Sequence, residues 1–208
     1  AWVHEARPLH WAASSNDATE LCQTLIDLGA DIEATTSDDG TTPLTNAMHF
    51  NIRGAAGVLL RAGARTSVII AAGLGDLEMV KSFFNADGSL KPGAGKPPFK
   101  NASDRAILSQ AVNFAAAHAH DEVIRYLADR GAPLSDVDTF VKHYATPLHR
   151  AVLRNSASTL RLLLELGADP NVKDPQFNAN PLGWALHNGR TEMAKLLEPV
   201  TASEAEEA

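Results

Sequence analysis

In the stretch 145–173, ATPLHRAVLRNSASTLRLLLELGADPNVK, Leu160, Leu163 and Leu164 fall at i, i+3 and i+4 and put one apolar stripe on a helix. Ahead of them, in Thr146-Pro147-Leu148-His149, the proline stands where a helix can begin without an amide donor. Gly167 closes the second helix, because glycine takes the left-handed conformation at a helix end without penalty. Ala168-Asp169-Pro170-Asn171 follows as turn material. Two short antiparallel helices and a turn cannot bury their own apolar faces. The pattern therefore predicts copies of itself stacked alongside.

The copies are there. With the leucine of Thr146-Pro147-Leu148-His149 as anchor, Leu148 to Gly167, Leu44 to Gly63 and Val112 to Gly131 each span 19 residues, and Leu9 to Gly29 spans 20. Two further units keep the first-helix pattern with altered ends, Val68-Ile69-Ile70-Ala71-Ala72 and Leu182-Gly183-Trp184-Ala185-Leu186. The anchors 9, 44, 68, 112, 148 and 182 are separated by 35, 24, 44, 36 and 34 residues. The 24 and the 44 together make two spacings of 34, so the third unit has lost the hairpin before it and gained a loop after it. On Pro8-Leu9-His10, Thr42-Pro43-Leu44-Thr45 and Thr146-Pro147-Leu148-His149, with Gly29-Ala30-Asp31, Gly63-Ala64 and Gly167-Ala168-Asp169, the chain resembles ankyrin repeats from Arg7 to Glu198.

The resemblance implies an all-α helical repeat solenoid with short hairpin-like fingers. We expect a single domain over 1–199, with repeats near 7–40, 41–65, 66–100, 101–144, 145–178 and 179–199, and a flexible acidic tail over 200–208. Trp2 and Val3 are expected to cover the open end of the stack, which lacks a neighbour. Fingers are expected at 31–42, with Asp38-Asp39-Gly40 at the tip, at 136–144, and at 174–180, which carries Phe177. The insertion 87–100, DGSLKPGAGKPPFK, reads as a surface loop, ordered or mobile. A helical window at 102–117 extends the first helix of the fourth repeat backwards, a departure from the family pattern. First helices of about eight residues fall below the ~12–15 at which isolated helices become even marginal, so stability must come from stacking.

Composition narrows the function. A chain of 208 residues with 45% apolar content can build a core, and its net charge of −7 argues against a generic nucleic-acid binder. No apolar run approaches the ~20 residues that span a bilayer, and no basic-then-apolar leader is seen. The chain opens at Ala1 rather than methionine, which leaves room for a leader or further repeats upstream. The lone cysteine, Cys22, staples nothing and reads as a small buried hydrophobe. A reducing cytoplasm and a monomer are the expectation.

Candidate chemistry is sparse. Gly95-Lys96 suggests a phosphate loop, but Leu90 stands where that motif needs glycine and Pro97 where it needs Ser or Thr. His118-Ala119-His120-Asp121-Glu122 suggests a metal site. On a helix, however, residues two apart do not share a face, and His118 and Glu122 straddle the expected interhelix turn. His10 and His149 hold the position where the resemblance implies an imidazole bonded to the neighbouring turn. No Gly-x-Ser-x-Gly elbow and no locally spaced carboxylate pair supports an enzyme. No cofactor and no metal is expected.

The resemblance also implies that residues two, five and six after each anchor face the concave side or its rim. These are Trp11, Ser14 and Ser15; Asn46, His49 and Phe50; Ile70, Gly73 and Leu74; Phe114, Ala117 and His118; Arg150, Leu153 and Arg154; and Trp184, His187 and Asn188. The set holds no Asp or Glu in an acidic chain, yet it holds two arginines, three histidines and four large aromatics. Aromatics and arginine are enriched at binding hot spots. The alternative is that Trp11, Phe114 and Trp184 are half-buried packing between first helices. The expected partner-binding residues are Trp11, Asn46, His49, Phe50, Leu74, Phe114, His118, Arg150, Leu153, Arg154, Trp184, His187 and Asn188. The expected function is a non-enzymatic module that holds a protein or peptide with acidic and apolar groups. Two alternatives stay open: a small-molecule or catalytic pocket in the distorted central repeats, around His49, Phe50, Phe114 and His118, and a purely architectural domain of a longer protein.

Overall fold

A computed structural model describes residues 7–15, 18–36, 40–96, 102–138 and 144–201. The expected end cover at Trp2 and Val3, the finger tip at Asp38 and Asp39, positions 97–100 and the tail from Ala202 lie outside them. Among the described residues twelve α-helices form six antiparallel pairs. They are α1 (Pro8–Ala13) with α2 (Thr19–Asp27), α3 (Pro43–His49) with α4 (Arg53–Arg61), and α5 (Val68–Leu74) with α6 (Leu77–Ser82). After these come α7 (Asp104–Ala117) with α8 (Asp121–Ala128), α9 (Pro147–Arg154) with α10 (Ala157–Glu165), and α11 (Pro181–His187) with α12 (Thr191–Leu197). The all-helical repeat solenoid expected from the anchors is what the chain builds.

Local sequence starts each first helix. Pro8, Pro43, Pro147 and Pro181 open α1, α3, α9 and α11. The side chains of Thr42, Ser67, Ser103, Thr146 and Asn180 accept an amide from the first turn of α3, α5, α7, α9 and α11. Thr146 is capped in return, since its own N–H donates to His149 Nδ1 at 3.2 Å. That fixes the tautomer: Nε2 carries the proton and donates to the Ala179 carbonyl at 3.0 Å. His10 Nε2 meets the Thr41 carbonyl at 3.0 Å in the same way. Both rings are fully buried and tie one repeat to the start of the next, as the resemblance implied.

Backbone bonds close the fingers, among them Thr36 N to Thr41 O at 3.0 Å, Asp138 N to Ala145 O at 2.9 Å and Asp174 N to Ala179 O at 2.9 Å. Between α4 and α5 there is no room for one. The insertion after α6 takes that place. Phe84 and Leu90 form an antiparallel bridge, and Ala94 O accepts the Val68 amide at 2.8 Å. Leu90 and Ala94 are buried, and a Cβ added to Gly95 would stand 2.7 Å from Ile107. The described part of the loop is thus packed over the start of α5 and α7, where the sequence suggested a surface insertion.

The core is one continuous apolar cluster running through all six pairs, from Leu9 to Leu197. First helices stack in the order α1, α3, α5, α7, α9, α11, and α5 lies along the fourteen-residue α7 most extensively. Second helices pack α2 on α4, α6 on α8, α8 on α10 and α10 on α12, but α4 and α6 hardly touch. The stack therefore opens on one side between repeats two and three, at the spacing of 24.

Candidate functional site

The residues two places after each anchor divide into three kinds. Ile70 and Phe114 are core, because the long α7 covers α5 and a Cβ at Gly73 would already stand 3.0 Å from both Met48 Cε and Phe114 Cδ1. Phe114 therefore presents no ring to a partner, which answers in favour of packing at that position. Arg150 and Trp184 reach into the fingers. Arg150 Nη2 lies 3.0 Å from Asp138 Oδ2, with side chains only 11% and 1% exposed. Trp184 Nε1 donates to Asp174 Oδ2 at 2.8 Å, and its ring stands edge-on to His149 at 4.8 Å. Asp174 also accepts the amides of Gln176, Phe177 and Ala179. Burial alone would raise its pKa, but the donors of Phe177, Trp184, Ala179 and Gln176 outweigh it and hold the carboxylate below its ordinary value. Arg150 and Trp184 thus do the same job in successive repeats. The expectation of Arg150 as a free groove cation is corrected by its finger carboxylate.

Most of the other positions stay accessible. Trp11 and Phe50 are each 47% exposed and Leu153 is 41% exposed. Arg154, His187 and Asn188 are exposed, while Asn46, His49 and Leu74 are half-buried. His49 and Phe50 meet edge to face at 4.7 Å.

His118 is buried, and it does not point away from His120 as helical spacing requires. The helix ends at Ala117, and Ala119 adopts φ +59. That left-handed residue swings both imidazoles to one side, where the rings lie 6.1 Å apart and nearly parallel. His118 Nε2 meets the Met48 carbonyl at 3.1 Å and His120 Nε2 the Gly73 carbonyl at 3.0 Å. The turn of repeat four thus spans repeat three and reaches repeat two. Burial, then the positive fields of His120, Arg154 and Arg53, lowers the His118 pKa to about 4 against the pull of the Met48 bond. Burial lowers His120 as well. Among the described residues no group of three or more His, Cys, Asp or Glu is placed to hold a metal.

The two rings form one wall of an open pocket of about 230 Å³. Met48, Ala56, Gly57 and Leu60 line it from repeat two, and Gly73 and Leu74 from repeat three, with Arg53 and Asn51 also in the lining. The pocket thus lies against α4, between repeats two and three. Of the lining residues, Leu74 and His118 were legible in the sequence from their place after the anchor. Arg53 and His120 were not, because neither holds such a place. The available signal was the short spacing from Leu44 to Val68, which parts the second helices.

Among the described residues no helix is long and apolar enough to cross a membrane. Transient receptor potential cation channel subfamily A member 1 of Drosophila melanogaster is 28% identical over 160 residues. That match covers 73% of this chain and 12% of the relative, so the chain spans a small fraction of that protein's length. A family model of ankyrin repeats in three copies matches residues 68–174, and one of ankyrin repeats in many copies matches residues 9–55. With the stacked pairs, the buried His10 and His149 and these two matches, the chain belongs to the ankyrin repeat family.

Proposed function

We propose that this chain is a non-enzymatic module that holds a protein or peptide partner along the face of its first helices and the finger tips. Ankyrin repeats generally serve as protein-interaction modules, and one observation carries the reading to this face. Trp11, Phe50 and Leu153 are exposed large apolar side chains at these positions, Arg154 and His187 are exposed as well, and no carboxylate stands at any of the eighteen positions. Apolar anchors next to cations suit a partner that carries apolar and acidic groups.

A paired pull-down from lysate of the source organism, read by mass spectrometry, tests this. The baits are the wild type and a variant with Phe50→Ala, Leu153→Ala, Arg154→Ala and His187→Ala. All four side chains are exposed or half-buried, so the variant keeps the fold. Proteins held by the wild type and lost by the variant are the expected result. Identical proteins on both baits would move the site elsewhere, and no specific protein on either would sink the reading.

A further inference from the structure

The gap between repeats two and three is apolar inside and cationic at its edge. Met48, Ala56, Leu60 and Leu74 supply apolar walls, and no Asp or Glu lines the pocket. Arg53 lines it, and Arg154 is close enough to act on both His118 and His120. Neither arginine makes an ion pair among the described residues. Asp121, which acts on His120, has Oδ1 engaged by the Thr159 hydroxyl at 2.6 Å. Both imidazole Nε2 atoms are tied to carbonyls, so the rings form a fixed wall.

Size limits the occupant. A cavity of roughly 150 Å³ accommodates benzene, whereas sites for drug-sized ligands run from about 300 to 1,000 Å³. About 230 Å³ suits one phenyl or branched aliphatic side chain. We propose that this pocket receives an apolar side chain of the protein partner together with a neighbouring carboxylate. The side chain enters between Met48, Leu60 and Leu74, and the carboxylate meets Arg53 in the field of Arg154. This rests on the reading of the chain as a partner-binding module and names the chemistry needed at one point of contact.

Gly57 provides a way to close the pocket without breaking the fold. It lies within α4, and a Cβ there meets only the far end of the Arg61 side chain at 3.4 Å. The test uses amide NMR titrations of the whole chain with three probes: acetyl-Glu-Phe-Glu-amide, acetyl-Lys-Phe-Lys-amide and 3-phenylpropionate. The acidic peptide is expected to shift the amides of Leu60, Gly73, Leu74 and His120, and the basic peptide to leave them in place. Gly57→Leu and Arg53→Gln, each checked for an otherwise unchanged spectrum, are expected to weaken the acidic peptide at least tenfold. Equal binding of both peptides, or full binding to Gly57→Leu, would overturn the proposal. Binding of 3-phenylpropionate without the acidic peptide would overturn it in favour of a small-molecule site. The pull-down keeps the two readings apart: partners lost on the four-residue variant, with no peptide binding here, would sustain the module and sink this pocket.

Discussion

His118 binds a carbonyl 70 residues away and stays neutral down to about pH 4, whereas an unfolded histidine titrates near 6.5. Between those values the unfolded chain takes up a proton that the folded chain refuses. The stability this ring contributes is therefore complete above about pH 6.5 and is lost as the pH falls toward 4. At 1.36 kcal/mol per unit, the loss at pH 5 reaches about 2 kcal/mol. His120 and His149, both lowered chiefly by burial, act in the same direction. Urea midpoints at pH 7.5 and pH 5.0 check this, with the wild type expected to fall further than His118→Gln. Parallel falls would show that the ring is not held neutral. Arg150 and Arg154 offer a second contrast. Removing Arg150 takes away the guanidinium that lies 3.0 Å from the buried Asp138 carboxylate, which also accepts from Gln110 Nε2 at 3.3 Å. Arg150→Ala should cost about 3 kcal/mol, while exposed Arg154→Ala should cost less than about 0.5 kcal/mol. Equal costs in urea unfolding would contradict the clasp.

The interhelix turns show one rule at the scale of the element. In five of them the residue seven places after the anchor has positive φ: Asn51 +57, Gly75 +74, Ala119 +59, Asn155 +57 and Gly189 +64. Asparagine and glycine tolerate that conformation; alanine does not, and pays about 1 kcal/mol for it. Ala119→Gly is expected to raise stability by about 0.5 kcal/mol, the relief of strain less the added freedom of the unfolded chain. A thermal unfolding midpoint that falls instead would show that the His118 and His120 rings need the alanine to hold them. Much of the fold is legible in the chain itself, because Thr146-Pro147-Leu148-His149 and its copies encode helix start, stripe and stop within a few neighbouring residues. The site was less legible. That Arg150 and Trp184 turn to finger carboxylates depends on where Asp138 and Asp174 arrive from the preceding finger. That His118 and His120 share a side depends on a left-handed alanine, a conformation alanine does not advertise. The loop over 87–96 has turn composition, and its buried Leu90 and Ala94 follow from a finger missing two dozen residues upstream.

In a stack of this kind each pair packs mainly on its neighbours, although His118 here reaches past repeat three to Met48, so stability is close to a sum of repeat terms and interface terms. The interfaces here are unequal. Between repeats three and four, α5 lies along a helix of fourteen residues and the loop over 87–96 closes the start of both. Between repeats two and three the second helices part, leaving the α3–α5 contact and the bond from His118 to Met48 to hold the two sides. Among the described residues, the plane with the least helix packing is the one that carries the pocket. Opening should therefore begin there, with α1 to α4 separating from α5 to α12 as one unit. Native-state hydrogen exchange in rising urea is expected to show amides of α3 and α4 exchanging at lower urea than those of α7 to α10. Leu44→Ala, a fully buried truncation on the first side, should cost roughly 2–5 kcal/mol. It should lower protection in α1 to α4 while leaving α7 to α10 near their wild-type values. Leu163→Ala, equally buried in α10, should instead lower protection around the fifth repeat. If either substitution lowered every helix alike, the chain would unfold as one unit, and the parted second helices would not weaken the stack.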